Sequence, residues 1–190
     1  MTALWSSFLV VALAEMGDKT QLIALSLASR YRRPWVVMCG ILVATLLNHA
    51  LASWLGAWMA AMVPTTVLGL ILGASFIAFG VWTLIPDRIE APTERRGWGP
   101  LVTTTVVFFL AEMGDKTQLA TVALGARFHA VLVVTAGTTL GMLAADGLAV
   151  FVGAKLPHLV PMRYVRWTAA TLFFAFGAVG ISRAVGFFVQ

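Results

Sequence analysis

The chain has 190 residues, of which 60% are hydrophobic and 11% are charged, with a mean hydropathy of +0.91 and a formal net charge of +5. Soluble domains are roughly 45–50% apolar and about 25% charged, so this composition excludes a water-soluble globule, and disorder would need the opposite bias. A single cysteine, Cys39, excludes a disulfide scaffold. The composition therefore predicts an all-α integral membrane protein.

Six apolar stretches are long enough to cross the bilayer, since a spanning helix needs about 20 residues. In chain order they cover residues 3–29, 35–62, 66–85, 100–125, 131–155 and 164–187. Membrane strands would alternate in polarity over about 10 residues, whereas these stretches are longer and apolar on all sides. We therefore expect six transmembrane helices with short connections, the longest being the linker at 86–99.

The basic residues of the connections predict the orientation. One side carries Arg30, Arg32, Arg33, Arg88, Arg95, Arg96, Lys155, Arg163 and Arg166. The opposite side carries only Arg127 and Arg183, while Lys19 and Lys116 fall within spans. Because Lys and Arg accumulate in cytoplasmic loops, we expect a cytoplasmic linker and both termini outside. The net positive charge then reflects membrane orientation, and we expect a lipid bilayer and no nucleic acid as partner.

A nine-residue motif, AEMGDKTQL, occurs twice without change, at Ala14–Leu22 and Ala111–Leu119. The same offset of 97 residues pairs further identical residues along the two halves without a gap. Each half holds three spans, an odd number, so the second half enters the membrane from the opposite side. Residues 1–85 and 100–190 are therefore expected to form two inverted three-helix repeats, an arrangement characteristic of secondary transporters.

Each motif places two carboxylates in the middle of a span, Glu15 with Asp18 and Glu112 with Asp115. They lie about 18 Å from the membrane surface by helical rise. A charge at this depth costs at least ~2.5–3.5 kcal/mol, so such acids need compensation and are functional by default. On a continuous helix each pair would share one face, with Lys19 about 40° from Glu15 and able to neutralise it in part.

Inversion would bring the two motifs face to face and pool their oxygen atoms. We predict that Glu15, Asp18, Glu112 and Asp115 bind a metal ion. Supporting oxygens are expected from Gln21, Gln118, Thr20, Thr117 and Asn48, and charge balance from Lys19 and Lys116. Gly17 and Gly114 would allow close backbone approach or a loosened helix. Hard oxygen donors favour Mg²⁺, Ca²⁺ or Mn²⁺ over copper or zinc, although polar pairing between helices is the structural alternative.

The two halves differ in their polar residues where Asn48-His49 aligns with Ala145-Asp146. Asp146 is the only acid outside the motifs within a predicted span, which indicates a proton relay or gate. His49 is assigned the same role, with a structural core histidine as an equal alternative. Five carboxylates against two lysines leave a charge of −3, so an empty site in low dielectric should bind protons that compete with the metal ion. Such competition is the basis of cation/proton antiport.

The duplicated Glu-x-Gly-Asp-Lys-Thr-Gln motif resembles that of the Gdt-type family of cation transporters, over nearly the whole chain. That family includes Golgi calcium/manganese transporters and bacterial manganese exporters. The resemblance implies that the four motif acids bind the cation, with the lysines, threonines and glutamines as accompanying positions. The brief linker resembles that of bacterial members. The resemblance to the family implies export of a divalent cation from the cytoplasm, commonly in exchange for protons. We therefore predict Mn²⁺ export across the bacterial inner (plasma) membrane, with no cofactor.

Three other functions are open from sequence. A Ca²⁺/H⁺ antiporter would have the same architecture, because both ions accept carboxylates. A cation channel could be lined by the same acids, although the two lysines would obstruct cation flow. Asp-Lys-Thr also occurs at the phosphorylated aspartate of P-type ATPases, but those pumps need large soluble domains. We therefore expect a transporter and not an enzyme.

Overall fold

A computed structural model describes residues 1–85, 98–152 and 162–186. Within these ranges every regular element is a helix, which confirms the all-α prediction. The helices are α1 (Thr2–Glu15), α2 (Lys19–Tyr31), α3 (Pro34–Ala60), α4 (Thr65–Leu84), α5 (Pro100–Glu112), α6 (Lys116–Phe128), α7 (Val131–Val152) and α8 (Met162–Gly186). Most of the predicted linker, and the ends of the fifth and sixth predicted spans, lie outside the described residues.

In the described part of the chain, four helices are long and apolar enough to cross a membrane: α3, α4, α7 and the part of α8 from Arg166. They correspond to the second, third, fifth and sixth predicted spans. Helices α1 and α5 are apolar but shorter, with 14 and 13 residues. Each is followed closely by a second short helix that begins within the duplicated motif.

The prediction of continuous helices at 3–29 and 100–125 is wrong. The first stretch is interrupted between Glu15 and Lys19, and the second at the equivalent place in the repeat. The interruptions centre on Gly17, with φ of 80°, and Gly114, with φ of 77°. A right-handed helix cannot include such a left-handed residue, and glycine adopts it without the clash of a Cβ. The acids of one motif therefore do not share a helix face.

Helices of the two halves pack against one another in a reciprocal pattern. Helix α1 packs on α7, and its repeat equivalent, α5, packs on α3. Helix α2 also packs on α7, and its repeat equivalent, α6, packs on α3. Helix α4 packs along α8, and α3 also packs against α7. Both helix breaks are consequently surrounded by helices of the other half, so residues distant in sequence meet in the middle of the bundle.

The approach of α3 to α6 is especially close. A Cβ added to Gly56 would lie 1.9 Å from the carbonyl oxygen of Val122, and one added to Gly125 would lie 2.3 Å from that of Ser53. Glycine at both places lets the two backbones touch, as small residues do between membrane helices. No space therefore remains between α3 and α6 at this end of the two helices.

Candidate functional site

The glutamine of each motif holds the broken backbone in shape. The amide N–H of Gly17 donates to Oε1 of Gln21 at 2.8 Å, and that of Gly114 donates to Oε1 of Gln118 at 2.7 Å. These N–H groups lie where no helical carbonyl is available, so the side-chain oxygens take the place of backbone acceptors. Identical bonds in both motifs show that the break is a property of the repeated sequence.

The other end of each glutamine side chain reaches the opposite half. Gln21 Nε2 donates to the carbonyl oxygen of Ala145 at 2.7 Å, and Gln118 Nε2 donates to Oδ1 of Asn48 at 3.2 Å. Asn48 in turn donates through Nδ2 to the carbonyl oxygen of Phe109 at 3.0 Å. The glutamines and Asn48 thus tie each break to a long helix of the other half.

The two glutamates are buried, and each is held by the motif threonine. Thr20 Oγ1 donates to Oε2 of Glu15 at 2.5 Å, and Thr117 Oγ1 donates to Oε2 of Glu112 at 2.9 Å. The second oxygen of each carboxyl group, Oε1, has no hydrogen-bond partner among the described residues. Glu112 also lies within electrostatic range of Glu15. Each glutamate therefore keeps one oriented oxygen for a proton or a cation.

The lysines pair across the two motifs. Lys19 Nζ lies 2.8 Å from Oδ2 of Asp115, and Lys116 Nζ lies 3.0 Å from Oδ1 of Asp18. The expectation that Lys19 compensates Glu15 along one helix is wrong, because the backbone turns at Gly17 between them and sends the lysine toward the other repeat. Each ammonium group instead neutralises the aspartate of the opposite motif.

The two ion pairs differ in burial. The Lys19 side chain is 29% exposed, whereas that of Lys116 is 5% exposed. The carboxylates of Asp115 and Asp18 are nearly or fully buried in both pairs. Asp115 Oδ1 also accepts from the backbone N–H of Lys116 at 2.6 Å and so begins α6. Identical sequences thus have unequal surroundings in this structure.

Asp146 and His49 are both fully buried, on α7 and α3 respectively. Neither carboxyl oxygen of Asp146 and neither ring nitrogen of His49 has a hydrogen-bond partner among the described residues. Asp146 lies within electrostatic range of Glu15 and Glu112. The structure therefore brings Asp146 to the glutamates, whereas no such interaction of His49 is found in the described part of the chain.

Within residues 1–85, 98–152 and 162–186, no three His, Cys, Asp or Glu side chains are grouped to hold one ion. The pooled four-carboxylate centre is thus not assembled in this structure. The physical reason is visible in the ion pairs, because an ammonium group holds each aspartate at salt-bridge distance. The residues brought together are two glutamates with free oxygens, two lysine–aspartate pairs and Asp146.

Sequence reasoning missed four buried hydroxyl groups and two carbonyl groups. The hydroxyls of Ser7, Thr45, Thr83 and Thr139 are buried and have no hydrogen-bond partner among the described residues. A polar residue inside an apolar span was the available signal for these four. The carbonyls of Ala145 and Phe109, which accept from Gln21 and Asn48, carry no side-chain signal and are visible only in the structure.

Comparison with known families identifies the class of protein. The family model of the divalent cation/proton antiporter GDT1 matches residues 3–91 and 100–186. The chain belongs to the GDT1 family. The resemblance inferred from the duplicated motif is confirmed, and the protein is a membrane transporter of the cation/proton antiporter class.

Several curated proteins are similar to this GDT1-family chain over most of its length. A Vibrio cholerae protein named "Putative manganese exporter" is 45% identical over 91% of this chain and 87% of its own. A GDT1-like protein of Synechocystis is 31% identical over 94% of this chain and 96% of its own. The chloroplastic protein PAM71 of Arabidopsis thaliana is 29% identical over 95% of this chain and 56% of its own. No solved structure matches the chain.

Proposed function

We propose that this GDT1-family protein exports Mn²⁺ from the cytoplasm of a bacterial cell in exchange for protons, by alternating access. The single observation that carries the proposal is the reciprocal pairing of Lys19 with Asp115 and of Lys116 with Asp18 around two buried glutamates. Manganese is favoured as the ion by the 45% identity to a protein named as an exporter of that metal. The donor set consists of oxygen atoms, which suits Mn²⁺.

The proposed architecture is two inverted three-helix repeats, residues 1–85 and 100–190, joined by a cytoplasmic linker at 86–99. Each repeat consists of one broken span and two unbroken spans. The reciprocal packing of α1 on α7 and α5 on α3 supports a two-fold relation between the halves. Both termini then lie outside the inner (plasma) membrane, in agreement with the distribution of arginine and lysine.

In the cation-free state, the two lysine ammonium groups act as tethered counter-ions of the aspartates. Five buried carboxylates against two lysines leave three excess negative charges, which a divalent cation reduces to one. The arriving ion displaces Lys19 and Lys116, and Asp18 and Asp115 then become ligands together with Glu15 and Glu112. The divalent cation competes with the two ammonium groups for the aspartates because, at equal distance, its attraction to a carboxylate is twice as strong. The low dielectric of the surroundings increases this difference.

The neutral polar groups of the motif position these ligands. Thr20 and Thr117 fix one oxygen of each glutamate, so that the other oxygen is directed to the ion. Gln21, Gln118 and Asn48 hold the helix breaks against the opposite half. Pre-positioned ligands reduce the ordering cost of binding.

Proton coupling follows from the position of Asp146 beside the glutamates. Glu15, Glu112 and Asp146 are buried within electrostatic range of one another, and like charges in a low dielectric disfavour simultaneous ionisation. In the proposed cycle they bind protons when the cation leaves and release them when it returns. Asp146 serves as the relay or gate, and His49, at the equivalent place on α3, assists it.

The unequal ion pairs support a state open toward Lys19. Its side chain is 29% exposed, and an exposed ammonium group is stable at this depth only beside water. The α3–α6 pair is closed at Gly56 and Gly125. In the proposed orientation, Lys19 lies on the cytoplasmic side of the site and α6 runs from the site to the outside. This state is open to the cytoplasm, from which an exporter binds its ion.

Transport by the full-length protein in inside-out membrane vesicles tests the proposal. We expect Mn²⁺ to enter inside-out vesicles with counter-movement of protons, and Asp18→Asn or Asp115→Asn to reduce both fluxes at least 100-fold. Thr168→Val is the matched control, since the Thr168 hydroxyl is exposed and bonds only within its own helix, to Tyr164. Full Mn²⁺ transport by Asp115→Asn would contradict the ligand assignment, and Mn²⁺ flux without proton movement would contradict the coupling.

A Ca²⁺/H⁺ antiporter is the second candidate, because the donor set of carboxylate, hydroxyl and amide oxygens also suits Ca²⁺. The same vesicles, with Ca²⁺ or Mg²⁺ supplied on the outside in place of Mn²⁺, distinguish the two. Preferential Ca²⁺ uptake would replace manganese as the substrate and leave the exchange mechanism unchanged. Ohmic currents without saturation would indicate a channel instead.

A further inference from the structure

A cavity of about 730 Å³ lies between α1, α4, α6 and α8, away from the transport site. It is lined by the first residues of α1 and α4 and by the last residues of α6 and α8, so it opens at one end of the bundle. No residue of either duplicated motif lines it. The cavity is therefore a feature that cation binding does not explain.

Two positively charged side chains, those of Arg127 and Arg183, line the cavity. These two arginines are the only basic residues assigned by sequence to this side of the membrane. Neither forms an ion pair with a carboxylate in the described part of the chain, and all eight acids of the sequence belong to the motifs, to position 146 or to the linker. Two arginines with no carboxylate partner among the described residues favour an anion at this cavity.

Two helix N-termini add to this positive potential. Helix α1 begins at Thr2 and α4 begins at Thr65, and both residues line the cavity. Neither helix has a side-chain cap, so the first N–H groups and the threonine hydroxyls are available as donors. Helix N-termini and arginine side chains both favour phosphate oxygens, the arginines through paired N–H groups.

The interior of the cavity is apolar. Leu72 and Phe76 of α4, Leu124 of α6 and Phe176 of α8 line its wall. A free inorganic anion gains nothing from such a wall, whereas an amphiphile can place its phosphate at the arginines and its hydrocarbon chain against these side chains. We infer that the cavity is a binding site for one phospholipid with an anionic headgroup, taken from the leaflet at which the cavity opens.

Lipid selectivity of the purified full-length protein tests this site. We expect native mass spectrometry to show phosphatidylglycerol retained about ten- to thirty-fold more than phosphatidylcholine, since each arginine near a lipid surface contributes a few-fold preference. Arg127→Gln with Arg183→Gln should abolish the preference. Arg127→Lys with Arg183→Lys should keep most of it, because the charge remains while the paired geometry is lost.

Arg30→Gln is the matched control, because Arg30 is the repeat equivalent of Arg127 and does not line the cavity. Both arginines stack on the following aromatic ring, at 5.8 Å for Arg30 and 5.7 Å for Arg127. Unchanged selectivity in the double glutamine variant, or equal loss in Arg30→Gln, would overturn the site. Equal binding of inorganic phosphate and phosphatidylglycerol would overturn its assignment to lipid, and a monodisperse elution profile verifies that each variant is folded.

Discussion

Lys19 and Lys116 occupy the same position in two identical motifs, yet the structure gives them different surroundings. The Lys116 side chain is nearly enclosed beside Asp18, whereas the Lys19 side chain beside Asp115 is 29% exposed. A buried ion pair costs desolvation on formation, and removal of one partner leaves a charge that nothing compensates. The two lysines should therefore contribute unequally to stability even though their sequences are the same.

We predict that Lys116→Met lowers the free energy of unfolding by about 3–5 kcal/mol, since it breaks an enclosed pair. Lys19→Met should lower the free energy of unfolding less, because the Lys19 side chain is partly exposed and Asp115 keeps its hydrogen bond from the backbone N–H of Lys116. Thermal unfolding of the purified variants in one detergent measures the difference. The double variant Lys116→Met with Asp18→Leu should recover much of the loss, and equal destabilisation by the two single substitutions would contradict the unequal burial.

At the scale of the secondary structure elements, the decisive features are the two helix breaks. Residues 16–18 and 113–115 separate α1 from α2 and α5 from α6. Apolar residues flank each polar motif on both sides, and each stretch has the length of one spanning helix, so the sequence predicts single spans. The duplicated glycine indicated only that the helix could loosen. The structure shows a defined break at each place. Gly17 and Gly114 have left-handed φ values, and the glutamine side chains accept hydrogen bonds from their N–H groups.

We predict that Gly17→Ala or Gly114→Ala destabilises the break by about 1–2 kcal/mol, because an L-residue is strained at these φ values. Since the break positions the motif carboxylates, we expect Mn²⁺ transport to fall at least ten-fold while the protein still inserts into the membrane. Vesicle uptake and thermal unfolding together check this. Gly147→Ala is the control, because its added Cβ would meet only Met38 Cε, at 3.6 Å, and wild-type transport by Gly17→Ala would refute the role of the break.

At the scale of the whole molecule, the proposed inversion makes a specific topological prediction. Arg33 and Ala130 are 97 residues apart and therefore occupy equivalent positions in the two repeats. Inverted repeats place them on opposite sides of the membrane. In a Cys39→Ala background, a membrane-impermeant maleimide should label Ala130→Cys in intact cells and Arg33→Cys only in inside-out vesicles.

Met62→Cys serves as a reference for the outer side, because Met62 is 65% exposed in the connection between α3 and α4. Labelling of Arg33→Cys and Ala130→Cys from the same side would mean that the repeats are parallel. The two acidic motifs would then lose the symmetry on which the proposed alternating access depends.

The sequence alone determined the class of the protein, its duplication and the identity of the motif residues. Composition decides between water and lipid because transfer free energy accumulates residue by residue, without reference to the fold. The repeat and the family resemblance are likewise readable position by position. Glu15, Asp18, Glu112, Asp115 and their polar neighbours were recognisable on this basis, since charged groups in apolar spans are costly.

Only the tertiary structure decided which groups face one another. Lys19 meets Asp115 and Gln21 meets Ala145 because the chain turns at Gly17 and the two halves interlock. Such contacts join residues about 100 or more positions apart, and no local pattern encodes them. Charge compensation between the two motifs is therefore a property of the packed bundle, since an ammonium group neutralises the carboxylate that packing brings within about 3 Å of it and not the one nearest in sequence.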